Sequence, residues 1–282
     1  MDETRAREIA REAAYAGGKI LSTYYREGTY GTTMKTDTSL QTEADLAAEQ
    51  KILTCVRSAF PTHNIDSEEQ GTLSISSSPY RWLIDPLDGT ENFVLGLPYF
   101  SSTVTLCYHD QPWIAAVYNP ITDQLYTAER GKGAWLNGVR LHVSSTTSLK
   151  QSRVFFIPDF QTKRRPSTLH LRQQLHIQCR RVLDTWSPAL DWCLVASGKA
   201  DGIVALSHQP ILPDAGMLLL EEAGGRITNF HGKALNGEYQ RFLLGSNGTE
   251  LHRHFLQLTQ NIPWEQEAWM ETPLLKPSYG MP

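Results

Sequence analysis

The spacing of apolar and charged residues at the start of the chain is typical of an amphipathic helix. Over residues 3–26 the apolar side chains recur at intervals of three or four, on one helical face: Ile9, Ala13, Ala16, Ile20, Leu21 and Tyr24. Gly28 follows, a common residue just past a helix end. The pattern predicts a first helix over residues 3–26, a loop over residues 29–33, and a second helix over residues 44–59 that Pro61 stops.

Short apolar runs bounded by turn residues indicate strands in the middle of the chain. They cover residues 82–84, 103–108, 114–118 and 125–128, lengths that suit strands better than helices. Gly131 and Gly133 mark a turn, and Asn137-Gly138 is a strong signal for a two-residue hairpin. This part of the chain is therefore predicted to form a sheet.

Strands and helices alternate again after a polar run at residues 144–148. The patterns predict a strand at 154–157, helices at 169–177 and 189–197, and a helix from Asp214 to Ala223 that Gly224-Gly225 ends. Blocks of this size predict a layered α/β (α+β) fold. We expect an N-terminal half over residues 1–146, a C-terminal half over 147–258, and a tail over 259–282 without assigned role.

Composition and charge narrow the classes of function. The 282 residues are 40% hydrophobic and 20% charged, with a net charge of −4, so a nucleic-acid or membrane partner is not expected. The run Lys163-Arg164-Arg165 is interpreted as a solvated loop. A charged start and the absence of a long apolar run predict a cytoplasmic protein. The four cysteines stand singly, which argues against a zinc site or a disulfide framework.

The segment Asp85-Pro86-Leu87-Asp88-Gly89-Thr90 carries the strongest chemical signal. It follows an apolar strand, so its two carboxylates are expected at the end of a sheet, where they repel each other unless a cation lies between them. Carboxylates and the free Leu87 carbonyl form an oxygen ligand set, which suits magnesium rather than zinc. The N–H groups of Gly89 and Thr90 at a predicted helix start suit a phosphate. The alternative interpretation is two ordinary turns.

Other acidic residues have ordinary interpretations when each is taken alone. Glu68-Glu69 is typical of a solvated surface, and Asp214 is a plausible N-cap of the helix that follows it. Asp45 fits the first turn of the second helix. Taken together with the segment around Asp85, these carboxylates favour a shared metal site.

Three motifs, in this order along the chain, resemble those of the inositol monophosphatase superfamily. They are Glu68-Glu69, the run from Trp82 through Asp85-Pro86-Leu87-Asp88-Gly89-Thr90 to Phe93, and Pro213-Asp214-Ala215-Gly216 before Glu221-Glu222-Ala223-Gly224-Gly225. The segment from Lys35 to Asp45 is similar to the N-terminal motif of the family, in the compact form of its adenosine bisphosphate and histidinol phosphate branches. The likeness covers roughly residues 3–258.

The resemblance implies a five-layer αβαβα sandwich of the inositol monophosphatase and fructose-1,6-bisphosphatase type, with the active site between two halves. It also implies a Mg²⁺-dependent phosphatase of a small phosphorylated metabolite, usually a lithium-sensitive homodimer. Carried over by position, two or three Mg²⁺ would be held by Glu68, Asp85, the Leu87 carbonyl, Asp88 and Asp214, with Asp45 at a weaker third site through water.

The resemblance also implies catalytic and substrate-binding roles. Glu69 and Thr90 would orient and activate the attacking water, with Asp45 as a third catalytic residue. The implied substrate-binding residues are Asp88, Gly89, Thr90, Ser187, Asp214 and Lys35. The loop at residues 29–33 would be a mobile lid that brings Lys35 and Asp45 toward the metals.

Two regions near the expected substrate pocket depart from the family pattern. Trp186-Ser187-Pro188-Ala189 replaces a run of glycine and small residues, and a tryptophan there would narrow the pocket or offer a stacking face. Inositol-specific members place a glutamate shortly before the position of Asp214. Here the polar candidates in that segment are Ser207, His208 and Gln209. We interpret His208 as an exposed loop residue, with substrate contact as the alternative.

These departures leave the substrate open. The leading expectation is a phosphomonoesterase that hydrolyses an inositol or sugar monophosphate with metal-activated water. Histidinol phosphate, fructose 1,6-bisphosphate and adenosine 3′,5′-bisphosphate are alternative substrates. A different class of function is a catalytically silent relative that binds metal or a phosphorylated metabolite, and the complete set of acidic ligands argues against it.

Overall fold

The computed structural model describes residues 2–35, 39–74, 76–235, 239–262 and 264. Its helices are α1 Glu3–Glu27, α2 Glu43–Ala59, α3 Thr90–Val94, α4 Pro166–Gln178, α5 Pro188–Ala196, α6 Ala215–Glu222 and α7 Glu250–Gln260. Its strands are β1 Thr32–Met34, β2 Leu40–Thr42, β3 Asn64–Ser67, β4 Gly71–Ser74, β5 Tyr80–Asp88, β6 Ser101–Tyr108, β7 Gln111–Asn119, β8 Gln124–Glu129, β9 Gly133–Leu136, β10 Val139–Arg140, β11 Arg153–Pro158, β12 Arg181–Leu183, β13 Gly202–Ile211, β14 Arg226–Thr228 and β15 Gln240–Ser246.

The first large sheet has the strand order β10-β9-β8-β7-β6-β5-β3-β4. Helices α1 and α2 pack together on one face of it. The core face of α1 is made of small residues, among them Ala10, Ala13 and Gly17. A Cβ at Gly17 would lie 2.6 Å from the Ile52 side chain of α2, so the missing side chain is what lets the two helices approach closely.

The second sheet has the order β12-β11-β13-β15-β14, and its strands β12, β11 and β13 are parallel. Helices α4 and α7 cover its outer face. Trp264 contributes to this layer, because its buried ring packs against Phe230 and Phe242. Residues 263 and 265–282 of the predicted tail lie outside the described residues.

Helices α5 and α6 lie between the two sheets and complete a five-layer αβαβα sandwich. Helix α6 contacts β7 and β8 of the first sheet and β14 and β15 of the second. The Trp192 ring fills the centre of this layer, and a side chain at Gly216 would collide with its Cβ at 2.6 Å. The predicted fold class is therefore confirmed, and the division at residues 146 and 147 stays a prediction.

Several predicted elements are confirmed and some differ. Helices α1 and α2, and the strands at residues 82–84, 103–108, 114–118 and 125–128, are present with longer bounds. The predicted loop at residues 29–33 ends in a short hairpin instead, because β1 pairs antiparallel with β2, Thr33 opposite Gln41. Among the described residues, no helix has the length and apolarity needed to cross a membrane.

Candidate active site

The first part of the site forms where two parallel strands end at the same edge of a sheet. Strand β3 runs parallel to β5, with Ser67 beside Ile84, and the Glu68 amide donates to the Ile84 carbonyl at 3.0 Å. The residues after β3 therefore lie beside those after Ile84. This register brings Glu68 beside Asp85, and after burial the charge of Glu68 is the next largest cause of the raised pKa of Asp85.

The segment from Asp85 to Asp88 breaks the regular pairing of β5 with β6. Asp85 lies opposite Thr103 and Asp88 opposite Ser101, so two residues bulge out against one. The Leu87 amide turns back to Asp85 Oδ1 at 3.1 Å, and the Leu87 carbonyl accepts from Thr90 Oγ1 at 3.1 Å. Pro86 has no N–H group to lose in this bulge. The bulge is what aims both carboxylates at one region.

Asp88 is bonded to residues about a hundred positions further along the chain. Its Oδ2 accepts from Ser187 Oγ and, at 3.4 Å, from Ser101 Oγ; its Oδ1 accepts from the Ala189 amide at 3.2 Å. Ser187 and Ala189 belong to the start of α5, where unpaired N–H groups favour a negative charge. The structure thus places Ser187 against a predicted metal ligand.

Asp214 is the N-cap of α6, as its position in the sequence also allowed. Its Oδ1 accepts from the Met217 amide at 3.1 Å. Burial raises the pKa of Asp214 to about 6 and that of Asp88 to about 7, and the charge of Asp214 adds to the rise at Asp88. The N-cap role therefore does not exclude the role of a metal ligand, because the carboxylate faces a second acid.

Asp45 lies in the first turn of α2 and forms a capping box with Thr42. Asp45 Oδ2 accepts from the Thr42 amide at 2.8 Å and from Thr42 Oγ1 at 2.6 Å. Its other oxygen is 3.4 Å from Thr90 Oγ1. Burial raises the pKa of Asp45 to about 7 against these hydrogen bonds, with further contributions from Glu68 and Glu69. Asp45 is thus part of the same group of acids.

The hairpin of β1 and β2 covers the acid pair at the end of β3. Lys35 Nζ lies 3.1 Å from Glu68 Oε1 and 2.8 Å from Glu69 Oε1, and Gln41 Nε2 donates to Glu69. Burial alone would lower the pKa of Lys35, but the two glutamates raise it above its ordinary value. The structure therefore brings Lys35, a predicted substrate-binding residue, to the predicted catalytic residue Glu69.

We use the name acidic cluster for Glu68, Glu69, Asp85, Asp88 and Asp214. Among the described residues, no three His, Cys, Asp or Glu side chains are arranged as a ready metal cage, because Lys35, Ser187 and backbone amides take up the carboxylate oxygens. The chemistry nevertheless fits Mg²⁺. Burial first, and then Glu68 and Asp88, raise the pKa of Asp85 well above its ordinary value. A divalent cation among oxygen ligands would relieve that repulsion.

A buried glutamate that the sequence did not single out holds the acid pair in place. Glu49 of α2 is fully buried, and its Oε1 accepts from Ser67 Oγ and from the amides of Glu69 and Gln70, both at 3.2 Å. Its Oε2 accepts from Gln70 Nε2 at 2.6 Å. One carboxylate thus fixes both sides of Glu68-Glu69. Its position four residues after Asp45, on the same face of α2, was the signal available in the sequence.

A second set of contacts fixes the Ser187 segment against the first half. Asn92 Nδ2 donates to the carbonyls of Tyr99, at 2.8 Å, and Thr185, at 2.7 Å. The buried Asp191 accepts from Tyr99 Oη at 2.8 Å and from Thr185 Oγ1 at 2.5 Å. Burial raises the pKa of Asp191 well above its ordinary value. These bonds hold Thr185, and with it Ser187, at a set distance from Asp88.

Two residues of the C-terminal half lie in surroundings that differ from the prediction. His208 was expected in an exposed loop, but it is a half-buried residue of β13, 2.6 Å from Asp159 Oδ2 through Nδ1. Lys163 lies in a turn as predicted, but its ammonium covers the rings of Phe160 and Trp186 instead of being fully solvated. Contacts with residues distant in sequence determine both environments, and the local residue pattern could not predict those contacts.

Comparisons with known proteins agree with this geometry. The profile of the inositol monophosphatase family matches residues 2–263. The chain is 36% identical to the Nus factor SuhB of Pasteurella multocida and 35% identical to that of Escherichia coli, each over 79% of this chain and 84% of the relative. Among solved structures, it is similar to the extragenic suppressor protein suhB from Bartonella henselae, with a TM-score of 0.82, 27% identity, and coverage of 89% and 96% of the two chains.

The inositol monophosphatase from Anabaena is a similar structure with an enzymatic name. Its TM-score is 0.80 at 29% identity, with 93% of this chain and 98% of that chain covered. The family profile spans nearly the whole described chain, including the acidic cluster and the start of α5. The chain belongs to the inositol monophosphatase family.

Proposed function

We propose that the chain is a Mg²⁺-dependent phosphomonoesterase that acts on the phosphate ester of a small metabolite. The observation that carries the proposal is that the β3–β5 register and the bulge from Asp85 to Asp88 bring Glu68, Asp85 and Asp88 to one end of the sheet, where burial and neighbouring negative charges raise the pKa values of Asp85 and Asp88. Such a region stabilises a divalent cation and, beside it, the oxygens of a phosphate. Glu68, Asp85, the Leu87 carbonyl, Asp88 and Asp214 would hold the ions, with Asp45 at the edge.

When bound, Mg²⁺ would neutralise the phosphate oxygens and lower the pKa of the attacking water. The hydroxyl proton of Thr90 is directed to the Leu87 carbonyl at 3.1 Å or to Asp45 at 3.4 Å. The Thr90 oxygen is therefore free to accept a hydrogen bond from the water and orient it. Glu69, held by Lys35 and Gln41, is the carboxylate that would orient and deprotonate that water.

Phosphate binding is assigned to the turn that begins α3. Gly89 has a φ of 93°, and a Cβ there would lie 3.1 Å from both the Ser187 Cβ and the Tyr99 carbonyl. A side chain would fill the space between the halves, so glycine keeps it open to a ligand. Gly89, Thr90, Ser187 and Lys35 complete the proposed substrate-binding set with Asp88 and Asp214. A homodimer, a cytoplasmic location and lithium inhibition belong to the same proposal.

The names of the relatives favour one other class of function. The relatives that share 34–36% identity carry the name Nus factor SuhB, which states no enzymatic activity. A binding protein that has kept a metal site without turnover is therefore the second candidate. Its acids would then serve only to hold a cation or a phosphorylated metabolite.

Release of inorganic phosphate, with and without Mg²⁺, separates the two functions. The panel is inositol 1-phosphate, fructose 1,6-bisphosphate, histidinol phosphate, adenosine 3′,5′-bisphosphate and glycerol 2-phosphate. We expect metal-dependent release that Asp88→Asn lowers by about 1000-fold. Asp110→Asn is the matched control, because Asp110 is a partly exposed residue that bonds to Arg81 outside the acidic cluster, at a φ of 60° that asparagine also adopts. Full activity of Asp88→Asn would contradict the proposed site.

A further inference from the structure

The segment before α5 forms one side of the candidate active site. Trp186 precedes Ser187, the residue that donates to Asp88. It follows Thr185, whose carbonyl accepts from Asn92 at 2.7 Å. Trp186 is therefore held on both sides at the junction of the halves. If the substrate phosphate binds at Asp88 and Gly89, an alcohol that extends from it toward α5 would lie beside Trp186.

The backbone of Trp186 is strained. Its φ is 55°, in the left-handed region that glycine adopts without cost. Asn137 also has a positive φ, but asparagine tolerates this region in turns. A bulky aromatic residue adopts it only at a cost in conformational energy. A costly residue that is kept next to a ligand site is evidence for a role of its side chain.

The Trp186 ring forms one unit with Phe160 and Lys163, which we name the aromatic–lysine wall. The centroids of the two rings are 4.7 Å apart at an interplanar angle of 47°. Lys163 Nζ lies 4.3 Å from the Phe160 centroid and 4.6 Å from the Trp186 centroid. A cation over two ring faces is held by their negative potential. Within the described part of the chain, no carboxylate is at ion-pair distance from this ammonium.

The turn that carries Phe160 and Lys163 is anchored rather than loose. Asp159 Oδ2 accepts from the His208 amide at 2.7 Å and from Ser207 Oγ at 3.0 Å, and Oδ1 accepts from the Thr162 amide at 2.7 Å. Burial would raise the pKa of Asp159, but the bonds from His208 and Thr162 bring it below its ordinary value. The Asp159 carboxylate therefore bonds to these donors, and the turn that carries Lys163 is fixed by them.

More positive than negative charge lies beside the wall. Asp184 is bridged to Arg172 at 3.3 Å, and burial raises its pKa while the charges of Arg172 and Lys163 oppose that rise, so two cations share this one carboxylate. The segment between Asp201 and Asp214, which forms β13 beside β11, contains no Asp or Glu. Because the ammonium lies over both rings, the wall offers a cation to a ligand rather than a bare stacking surface.

We propose that the aromatic–lysine wall recognises a second negatively charged group, such as a phosphate, on the alcohol part of the substrate. The inference rests on the proposed phosphatase function and names the class of ester that the site selects. A neutral polyol monophosphate gains nothing from an ammonium held in this way. An ester with a second phosphate gains a charge-assisted contact with Lys163.

The test compares esters that differ only in the second charge. kcat and KM are measured for fructose 1,6-bisphosphate against fructose 1-phosphate, and for adenosine 3′,5′-bisphosphate against adenosine 3′-monophosphate. For Lys163→Met we expect about a tenfold higher KM for each bisphosphate, with kcat and the KM of each monophosphate unchanged within about twofold. Trp186→Gly should act in the same direction, because it removes one of the two rings that hold the ammonium.

Arg164→Met is the matched control, since it removes an exposed cation one residue away. An equal rise of KM for both members of a pair, or an equal effect of Arg164→Met, would overturn the assignment. If no ester releases phosphate, the proposed function fails, and the same pairs are titrated calorimetrically with Mg²⁺ present. Tighter binding of the bisphosphate that Lys163→Met weakens would then support the wall; equal binding of both members would reject it.

Discussion

The acidic cluster and the aromatic–lysine wall lie on opposite sides of the same junction and are built differently. The cluster stands on the ends of β3 and β5 and at the N-cap of α6, and the start of α5 bonds to Asp88, so regular pairing fixes most of its geometry. The wall stands on a turn and on one strained residue before α5. The difference suggests that chemistry and selection are separable in this molecule: one follows from the fold, the other from a few side chains in connecting segments.

The largest expected effect tests whether the two regions are separable. Asp85→Asn removes a buried carboxylate of the acidic cluster and should lower kcat by about 1000-fold on every ester. Trp186→Gly should leave kcat on glycerol 2-phosphate within about threefold, because the wall does not touch the reacting atoms. Steady-state kinetics of both variants measure this. A comparable loss of kcat in Trp186→Gly would show that the regions act as one.

The response of stability to pH sharpens the electrostatic side of the comparison. The pKa values of Asp45 and Asp88, about 7, and of Asp214, about 6, lie above those of carboxyls in an unfolded chain, near 4. Between these values the folded chain holds more protons than the unfolded chain, so the free energy of unfolding falls as pH rises through that window. The loss should be on the order of 2–4 kcal/mol in the absence of metal.

Urea unfolding between about pH 5 and pH 8, in EDTA and in excess Mg²⁺, measures this loss. Mg²⁺ should flatten the profile, because bound cations stabilise the ionised carboxylates. Lys163→Met is the comparison variant and should leave the slope unchanged, since Lys163 lies outside the acidic cluster. A profile in EDTA that is flat, or one that Mg²⁺ does not alter, would contradict the electrostatic account.

Glu49, which holds Glu68 and Glu69 in place, should affect the rate nearly as much as the members of the acidic cluster do. Glu49→Ala leaves four donors around Ser67, Glu69 and Gln70 without an acceptor. We expect kcat to fall by about 30–100-fold and the Mg²⁺ concentration for half-maximal rate to rise, because Glu68 and Glu69 lose their fixed position. Glu49→Gln keeps an acceptor oxygen and should recover most of the rate. Equal loss in both variants would indicate a role for the charge itself.

The smallest expected effect concerns the contact that joins the two regions. Ser187→Ala removes one donor from Asp88 while the Ala189 amide remains at 3.2 Å. We expect about a tenfold lower kcat/KM, similar for bisphosphates and monophosphates. The bisphosphate-to-monophosphate ratio of kcat/KM measures this. A change in that ratio larger than about threefold would assign Ser187 to selection as well.

The sequence was sufficient for the parts of the site that depend on local pattern. Each acid stands beside a local signal for the end of a strand or the start of a helix. The signals are the apolar strand before Asp85, the glycine after Asp88 and the proline before Asp214. The helix starts at Thr90 and at Asp214 were predicted from the same signals, and both are present. The roles of these residues in binding metal and phosphate stay predictions.

The parts that could not be predicted depend on partners distant in sequence. Strand β1 is short and exposed, with no alternation, and it exists because Thr33 pairs with Gln41. Glu49 has the spacing of a helix residue, but only the fold brings Gln70 to it. Lys163 belongs to a basic run that is usually solvated, and its position over Trp186 requires a contact 23 residues along the chain.

The sharing of Asp88 between the two halves has a consequence for how such a chain diverges. Its carboxylate accepts from the Ser187 hydroxyl and the Ala189 backbone amide, so a substitution at Asp88 or at Ser187 disturbs both sides of this contact at once. Among the described contacts, Phe160 and Lys163 form no hydrogen bond with Asp88. Over generations, descendants of this sequence would therefore keep the junction constant while their substrate preferences drift, residue by residue, at its border.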